Sequence, residues 1–270
     1  MRDHILPQPG LGTYRLKEQA VIDSVTSALE LGYRHLDSAK MYGNETAVGK
    51  AIQQSGLDRS ELFLTTKIWW DQLEPEALTA SVEQSLENFG VEWLDLVLIH
   101  WPSPDAQVPM ADYLEALAQC RRRGLTRHIG VSNFTIAQID EALALPGGDQ
   151  IITNQIEVHP FLANRQLVEH CQAKGIEVTA YMPLAVGRVM EDATLKRIAD
   201  AHDATPAQIA LAWIVARDII VIPSSTKAEH QKANLAALDI RLSDEEMREI
   251  DGLDRGERVA NPDFAPVWDQ

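Results

Sequence analysis

The sequence predicts a single-domain (β/α)8 TIM barrel, an α/β fold with its active site at the C-terminal ends of the strands. Three observations carry that prediction. Eight short apolar runs alternate with longer helical patterns, no Gly/Ser linker divides residues 1–270, and ionisable residues recur at the ends of successive runs. Strand-then-helix order repeated around the chain favours a closed barrel over an open dinucleotide-binding sheet. At 270 residues and 30.0 kDa the chain can bury such a core as one domain.

The candidate strands occupy residues 11–14, 33–37, 62–67, 94–100, 128–133, 151–158, 176–181 and 219–223. The unbroken run Leu96-Val97-Leu98-Ile99 suits a strand with helices outside it and packed side chains inside it. Before that run, Leu78, Val82, Leu86 and Phe89 recur with a period near four, and Gly90 follows as a C-cap. Thr135 with Gln138, Thr205 with Pro206 and Gln208, and Ser243 with Glu246 fit N-cap or capping-box patterns. Each hydroxyl satisfies amide donors that the first helical turn leaves unpaired. The last helices fall at residues 227–238 and 243–250, ahead of a polar tail.

The formal charge of −16, from 40 acidic residues against 24 Lys plus Arg, argues against a nucleic-acid partner or a polybasic membrane surface. Cys120 and Cys171 lie in helical segments and give neither a disulfide framework nor a metal spacing. His128, His159 and His170 are scattered, and read as core, loop or helix residues rather than a zinc site. No metal is expected. The N-terminus lacks a secretory-type apolar core, and no apolar run approaches the roughly 18 residues of a membrane span. A soluble, cytoplasmic protein is expected.

Four ionisable groups stand at or just past strand ends: Asp37 and Tyr42 after the second, Lys67 on the third and His100 on the fourth. Tyr42 can donate a proton to a carbonyl oxygen, although a free phenol with a pKa near 10 is a reluctant acid. A neighbouring Lys67 ammonium is expected to lower that pKa, with Asp37 orienting the lysine. His100 can hydrogen-bond to the carbonyl oxygen and place it. Residue type and spacing leave a blander reading open, in which Asp37 and Lys67 serve only folding and Tyr42 packs at a barrel rim. They do not identify hydride transfer.

Several ordered segments nevertheless resemble the aldo-keto reductase family. They are Gly10-Leu-Gly-Thr-Tyr14, Asp37-Ser-Ala-Lys-Met-Tyr-Gly-Asn-Glu45, Leu64-Thr-Thr-Lys67, Leu98-Ile-His-Trp-Pro102, Gly130-Val-Ser-Asn-Phe134, Asn154-Gln-Ile-Glu-Val-His-Pro160 and Ile222-Pro-Ser-Ser-Thr226. Within the family, the small bacterial branch of 2,5-diketo-D-gluconate reductase B and methylglyoxal reductases is most similar. The resemblance implies a catalytic tetrad of Asp37, Tyr42, Lys67 and His100. It also implies NADPH as hydride donor, with NADH as a weaker alternative, and small aldehydes or ketones as substrates.

The same resemblance implies cofactor contacts from Thr13, Asp37, Ser132, Asn133 and Gln155, with Tyr181 stacked on the nicotinamide and Pro183 and Leu184 beside it. Ser224, Ser225, Thr226, Lys227, His230 and Asn234 match the adenine and 2′-phosphate segment. Two departures stand out there: Ser224 replaces the family's usual lysine and His230 its usual arginine, so positive charge is lost. Met182 replaces a frequent serine. Tyr14, Tyr42, His100 and Trp101 resemble the substrate pocket, although Trp101 also suits packing beneath a loop.

The connection from His100 to Pro109 is short and the polar tail leaves little room for a specificity loop, so an open pocket for small carbonyls is expected. A monomer is the family expectation. Two other classes remain: a nicotinamide-sensing regulatory protein with low turnover, and a metal-dependent barrel hydrolase using Asp37 and His100.

Overall fold

A computed structural model describes residues 4–269; the remaining four of the 1–270 domain expectation lie outside the described residues. Eight parallel strands follow one another around a single sheet: β1 (Gly10–Gly12), β2 (His35–Asp37), β3 (Phe63–Ile68), β4 (Leu94–Ile99), β5 (Thr126–Ser132), β6 (Ile151–Glu157), β7 (Glu177–Tyr181) and β8 (Ile220–Val221). Each strand pairs with the next. The seam between first and last strands is held by the Gly12 amide, which donates to Pro223 O at 3.1 Å. A Cβ on Gly12 would stand 2.7 Å from Ile222 O, so glycine is required for this approach. The result is the predicted (β/α)8 barrel.

The helices are α1 (Glu18–Glu30), α2 (Glu45–Ser55), α3 (Pro75–Phe89), α4 (Met110–Arg122), α5 (Ile136–Ala144), α6 (Arg165–Ala173), α7 (Ala193–Ala201), α8 (Pro206–Ala216), α9 (Ala228–Ala236) and α10 (Asp244–Asp251). Thr135, Thr205 and Ser243 each form the expected capping box, opening α5, α8 and α10. Gly90 ends α3 in the left-handed region at φ 67°. Val97 and Ile99 join the apolar layer between strands and helices, while Leu96 and Leu98 pack inside the barrel with Leu6 and Ile220. The N-terminal segment thus plugs the end of the barrel opposite the site. Among the described residues no helix is long and apolar enough to cross a membrane.

Several boundaries differ from expectation. The first strand ends at Gly12 because Thr13 turns away, its amide donating to Asp37 O and its carbonyl accepting from Leu16 N. The last strand shortens to two residues, since Pro223 has no amide to continue a ladder. The second starts at His35, because the amide of Tyr33 is taken by Ala28 O at the end of α1. The helix expected over 227–238 closes at Ala236 and tightens into a 3-10 turn, Ala237–Asp239.

Candidate active site

Asp37 ends β2, and the chain then needs a sharp turn to bring Tyr42 back over the barrel. One 3-10 turn, Lys40–Tyr42, does this, and Gly43 leaves it in the left-handed region at φ 65°. Asn44 locks the turn to the loop after β1. Its amide donates to Thr13 O at 2.9 Å and Leu16 O at 3.0 Å, while its carbonyl accepts from Ser38 Oγ at 2.8 Å. Glu45 is buried and accepts from Thr66 Oγ1 at 2.6 Å and Asn88 Nδ2 at 2.9 Å. The motif from Asp37 to Glu45 is therefore one hydrogen-bonded unit that fixes where the Tyr42 hydroxyl points.

Lys67 is fully buried. Its Nζ donates to Asp37 Oδ1 at 2.5 Å, to Ser38 O at 2.7 Å and to Tyr42 Oη at 3.5 Å. The other Asp37 oxygen accepts from Gln155 Nε2 at 2.7 Å. His100 continues β4, with its ring centroid 5.8 Å from that of Tyr42 and 5.0 Å from that of Trp69. Asn133, at φ 63°, donates from Nδ2 to His100 O and accepts from Tyr181 Oη at 2.8 Å. Four groups distant in sequence are thereby joined at the strand C-termini.

Electrostatics correct one expectation. Burial pushes the Tyr42 pKa well above its ordinary value, with Asp37, Tyr14 and Tyr181 adding to the rise. Lys67 Nζ, 3.5 Å from the Tyr42 hydroxyl and paired with Asp37, does not reverse the rise. Burial lowers Lys67 itself, against the pull of Asp37 and Glu45. His100 lies well below its ordinary value through burial and then through Lys67, which keeps its imidazole neutral at pH 7. Its Nδ1 is buried with no hydrogen-bond partner among the described residues.

A cavity of about 800 Å³ opens above these groups. Tyr14, Tyr42, His100 and Trp101 line it on one side, as do Asp37, Asn133, Gln155 and Tyr181 at its floor. Pro183, Leu184 and the segment holding Ser224, Ser225, Thr226, Lys227 and His230 form another side. Thr13, Lys67, Ser132 and Asn234 do not line it. Thr13 and Ser132 are buried supports, whose hydroxyls donate to Asp37 O and Gln155 O. Asn234 is buried on α9.

Sequence reasoning missed other wall residues. Trp69 and Phe264 line the cavity, and Phe264 packs edge-on to Trp69 and Trp101 at 5.6 and 5.5 Å. Trp101 therefore both lines the pocket and packs beneath the tail. The tail, expected to leave the pocket open, supplies Val259, Ala260, Pro262 and Phe264 as a wall. Gln231 was also missed. It donates to Ser24 O and Ser225 O, tying the 224–227 segment to α1. Its signal was weak, an amide among the charges of an ordinary-looking helix.

The donors fit a nicotinamide dinucleotide. Asn133, Gln155 and Tyr181 line the cavity, while Ser225, Thr226 and Lys227 also line it and stand before the N-terminus of α9, where a phosphate is favoured. Among the described residues no group of three or more His, Cys, Asp or Glu side chains is placed to hold a metal ion.

A parallel barrel with a buried Asp37–Lys67–Tyr42 cluster beneath a cavity at its strand C-termini has the architecture of an oxidoreductase, and comparison with known proteins agrees. Residues 8–255 match the Aldo/keto reductase family. Methylglyoxal reductase DkgB of Salmonella typhi is 47% identical over 265 residues, covering 98% of this chain and 99% of that protein. Glyoxal reductase of Bacillus subtilis is 37% identical, covering 96% and 93%. A crystal structure of a protein provisionally named 2,5-diketo-D-gluconic acid reductase B superposes with a TM-score of 0.95 at 41% identity, covering 98% and 94%. The chain belongs to the aldo/keto reductase family. It is an NAD(P)H-dependent oxidoreductase acting on carbonyl compounds.

Proposed function

We propose that this protein uses NADPH to reduce small aldehydes and ketones, of the methylglyoxal and 2,5-diketo-D-gluconate type, to alcohols, with Tyr42 as general acid. The observation that carries the reading is the contact chain Gln155–Asp37–Lys67–Tyr42 beneath a cavity that Tyr42 and His100 both line. The cofactor, when bound, supplies the hydride. Every proton-handling role falls to the chain.

His100, held neutral by burial, donates a hydrogen bond to the carbonyl oxygen without adding charge. That bond polarises the carbonyl and places its oxygen beside Tyr42. As negative charge develops on the oxygen, Tyr42 transfers its phenolic proton there. A raised pKa does not obstruct this step, because an alkoxide is a far stronger base than a phenolate. It also guarantees that the proton is present at neutral pH. Lys67 then faces the phenolate and stabilises it, with Asp37 fixing the lysine.

Asn133 and Gln155 are read as carboxamide contacts, Tyr181 as the stacking ring, and the segment from Ser224 to Lys227 with His230 and Asn234 as the adenosine phosphate end. Lys227 is the cation there, with Glu229 3.9 Å away, so the preference for NADPH over NADH is modest. We further read the protein as a cytoplasmic monomer. The test is steady-state oxidation of NADPH and of NADH with methylglyoxal and a panel of related carbonyls. Turnover with NADPH and a 2-oxoaldehyde is expected, and confirmed cofactor binding without turnover of any carbonyl would reject the reading.

A further inference from the structure

Glu157 closes β6 and takes no part in the proton chemistry, yet it is completely buried. A buried carboxylate is costly unless its oxygens are well paired. Here they are. Oε1 accepts from Val259 N at 2.7 Å and lies 2.8 Å from His159 Nε2, and Oε2 accepts from Ala260 N at 2.7 Å. Burial pushes its pKa up, but the bonds from His159 and the two amides outweigh that and hold the carboxyl below its ordinary value.

The two amides belong to a strap of residues 252–269 that has neither helix nor strand. Within it only Arg258 N and Ala265 N find strap carbonyls, on Gly256 O and Pro262 O, so other backbone donors need acceptors elsewhere. Phe161 O takes those of Arg255 and Glu257 at 3.3 and 3.0 Å, and Asp269 Oδ2 accepts from Ile136 N at 2.9 Å. Glu157 is the pin between these two, and it holds the residues that enter the cavity: Val259 and Ala260 directly, then Pro262 and Phe264. Arg258 reinforces it by donating to Asn164 Oδ1, while Asn164 Nδ2 donates to Glu157 O. Glu157 also lies in register with Tyr181 on β7. One carboxylate therefore links the strap wall to the barrel floor.

We propose that Glu157 is a specificity-determining positioning residue: by fixing the amides of Val259 and Ala260 it sets the gap between the strap wall and the Tyr42–His100 pair, and with it the size of carbonyl compound the cavity holds in place. The inference rests on the carbonyl-reductase reading of the cavity. Small 2-oxoaldehydes span little of the gap and need the wall least. Aromatic aldehydes reach it and depend on it most.

Glu157→Gln tests this, because an amide offers one accepting oxygen and turns an NH2 toward the second backbone donor. In the full-length variant, hydrogen–deuterium exchange across residues 257–264 is expected to speed up by about tenfold. KM for 4-nitrobenzaldehyde is expected to rise by about tenfold, while kcat with methylglyoxal and the Kd for NADPH stay within about twofold. A merely structural defect would lower kcat for both carbonyls together. Phe264→Ala, with the pin intact, should raise the aromatic KM without speeding exchange at Val259 and Ala260. Unchanged exchange in Glu157→Gln would overturn the proposal, as would faster exchange with the two KM values unaltered. If Glu157→Gln fails to fold, an unaltered aromatic KM in Phe264→Ala overturns it. Were the wild type to turn over no carbonyl, the reductase reading would fail while exchange still reported on the pin.

Discussion

The proton on Tyr42 is the smallest feature on which the proposed chemistry depends, and its environment makes a sharp prediction. Tyr42→Phe keeps the ring between Tyr14 and His100 but removes the acid. Turnover should fall by about 10²- to 10⁴-fold with NADPH affinity nearly unchanged, as steady-state rates and fluorescence titration would show. Because burial raises the Tyr42 pKa, the protonated form persists as pH rises, and the reductive rate should decline only above the ordinary tyrosine value of about 10. Alcohol oxidation, which needs the phenolate, should increase over that same alkaline range. Lys67→Met leaves the buried Asp37 with Gln155 but no counter-charge, and should cost about 3–5 kcal/mol in a denaturant titration. At this scale the sequence was legible in part. Spacing put Asp37, Tyr42, Lys67 and His100 at strand ends, but the direction of the Tyr42 shift depends on burial and on the nearby Asp37 carboxylate, which only three-dimensional packing decides.

At the scale of elements, the proposed cofactor reading puts the choice between NADPH and NADH on the segment leading into α9. Lys227 is exposed and 3.9 Å from Glu229, which competes with a phosphate for its charge. Glu229→Gln should therefore lower the KM for NADPH relative to NADH by a few fold, and Lys227→Ala should raise it by about tenfold, read from kinetics with both cofactors. The seam between β1 and β8 has its own test. Gly12→Val would drive a Cβ to within 2.7 Å of Ile222 O, a backbone atom that cannot yield, so the variant should lose thermal stability and much of its soluble yield. Capping boxes at Thr135, Thr205 and Ser243 were readable because their signal is local, a hydroxyl three residues before Gln or Glu. The strap was not. Its residues 252–269 have no period, and their order comes from acceptors on β6 and the following loop, far away in sequence.

Across the whole molecule, the barrel separates stability from chemistry. At the end away from the site, buried Asp95 accepts from Arg59 Nη2 at 2.6 Å, Leu64 N at 2.9 Å and Arg127 Nη1 at 3.2 Å. Asp95→Ala strands these donors and should cost about 3 kcal/mol in a thermal or denaturant melt, with kcat near wild type at temperatures where the fold persists. The eight-strand order was visible from hydrophobic runs alone, whereas the distances that join β2, β3, β4 and β6 into one site were not. The central claim is that the floor of the cavity delivers a proton from Tyr42 while a carbonyl is reduced. It is tested most directly by following NADPH oxidation with methylglyoxal in the wild type and in Tyr42→Phe under saturating cofactor. The account predicts turnover in the wild type and a loss of at least about a hundredfold in the variant. Equal rates in the two proteins would contradict it.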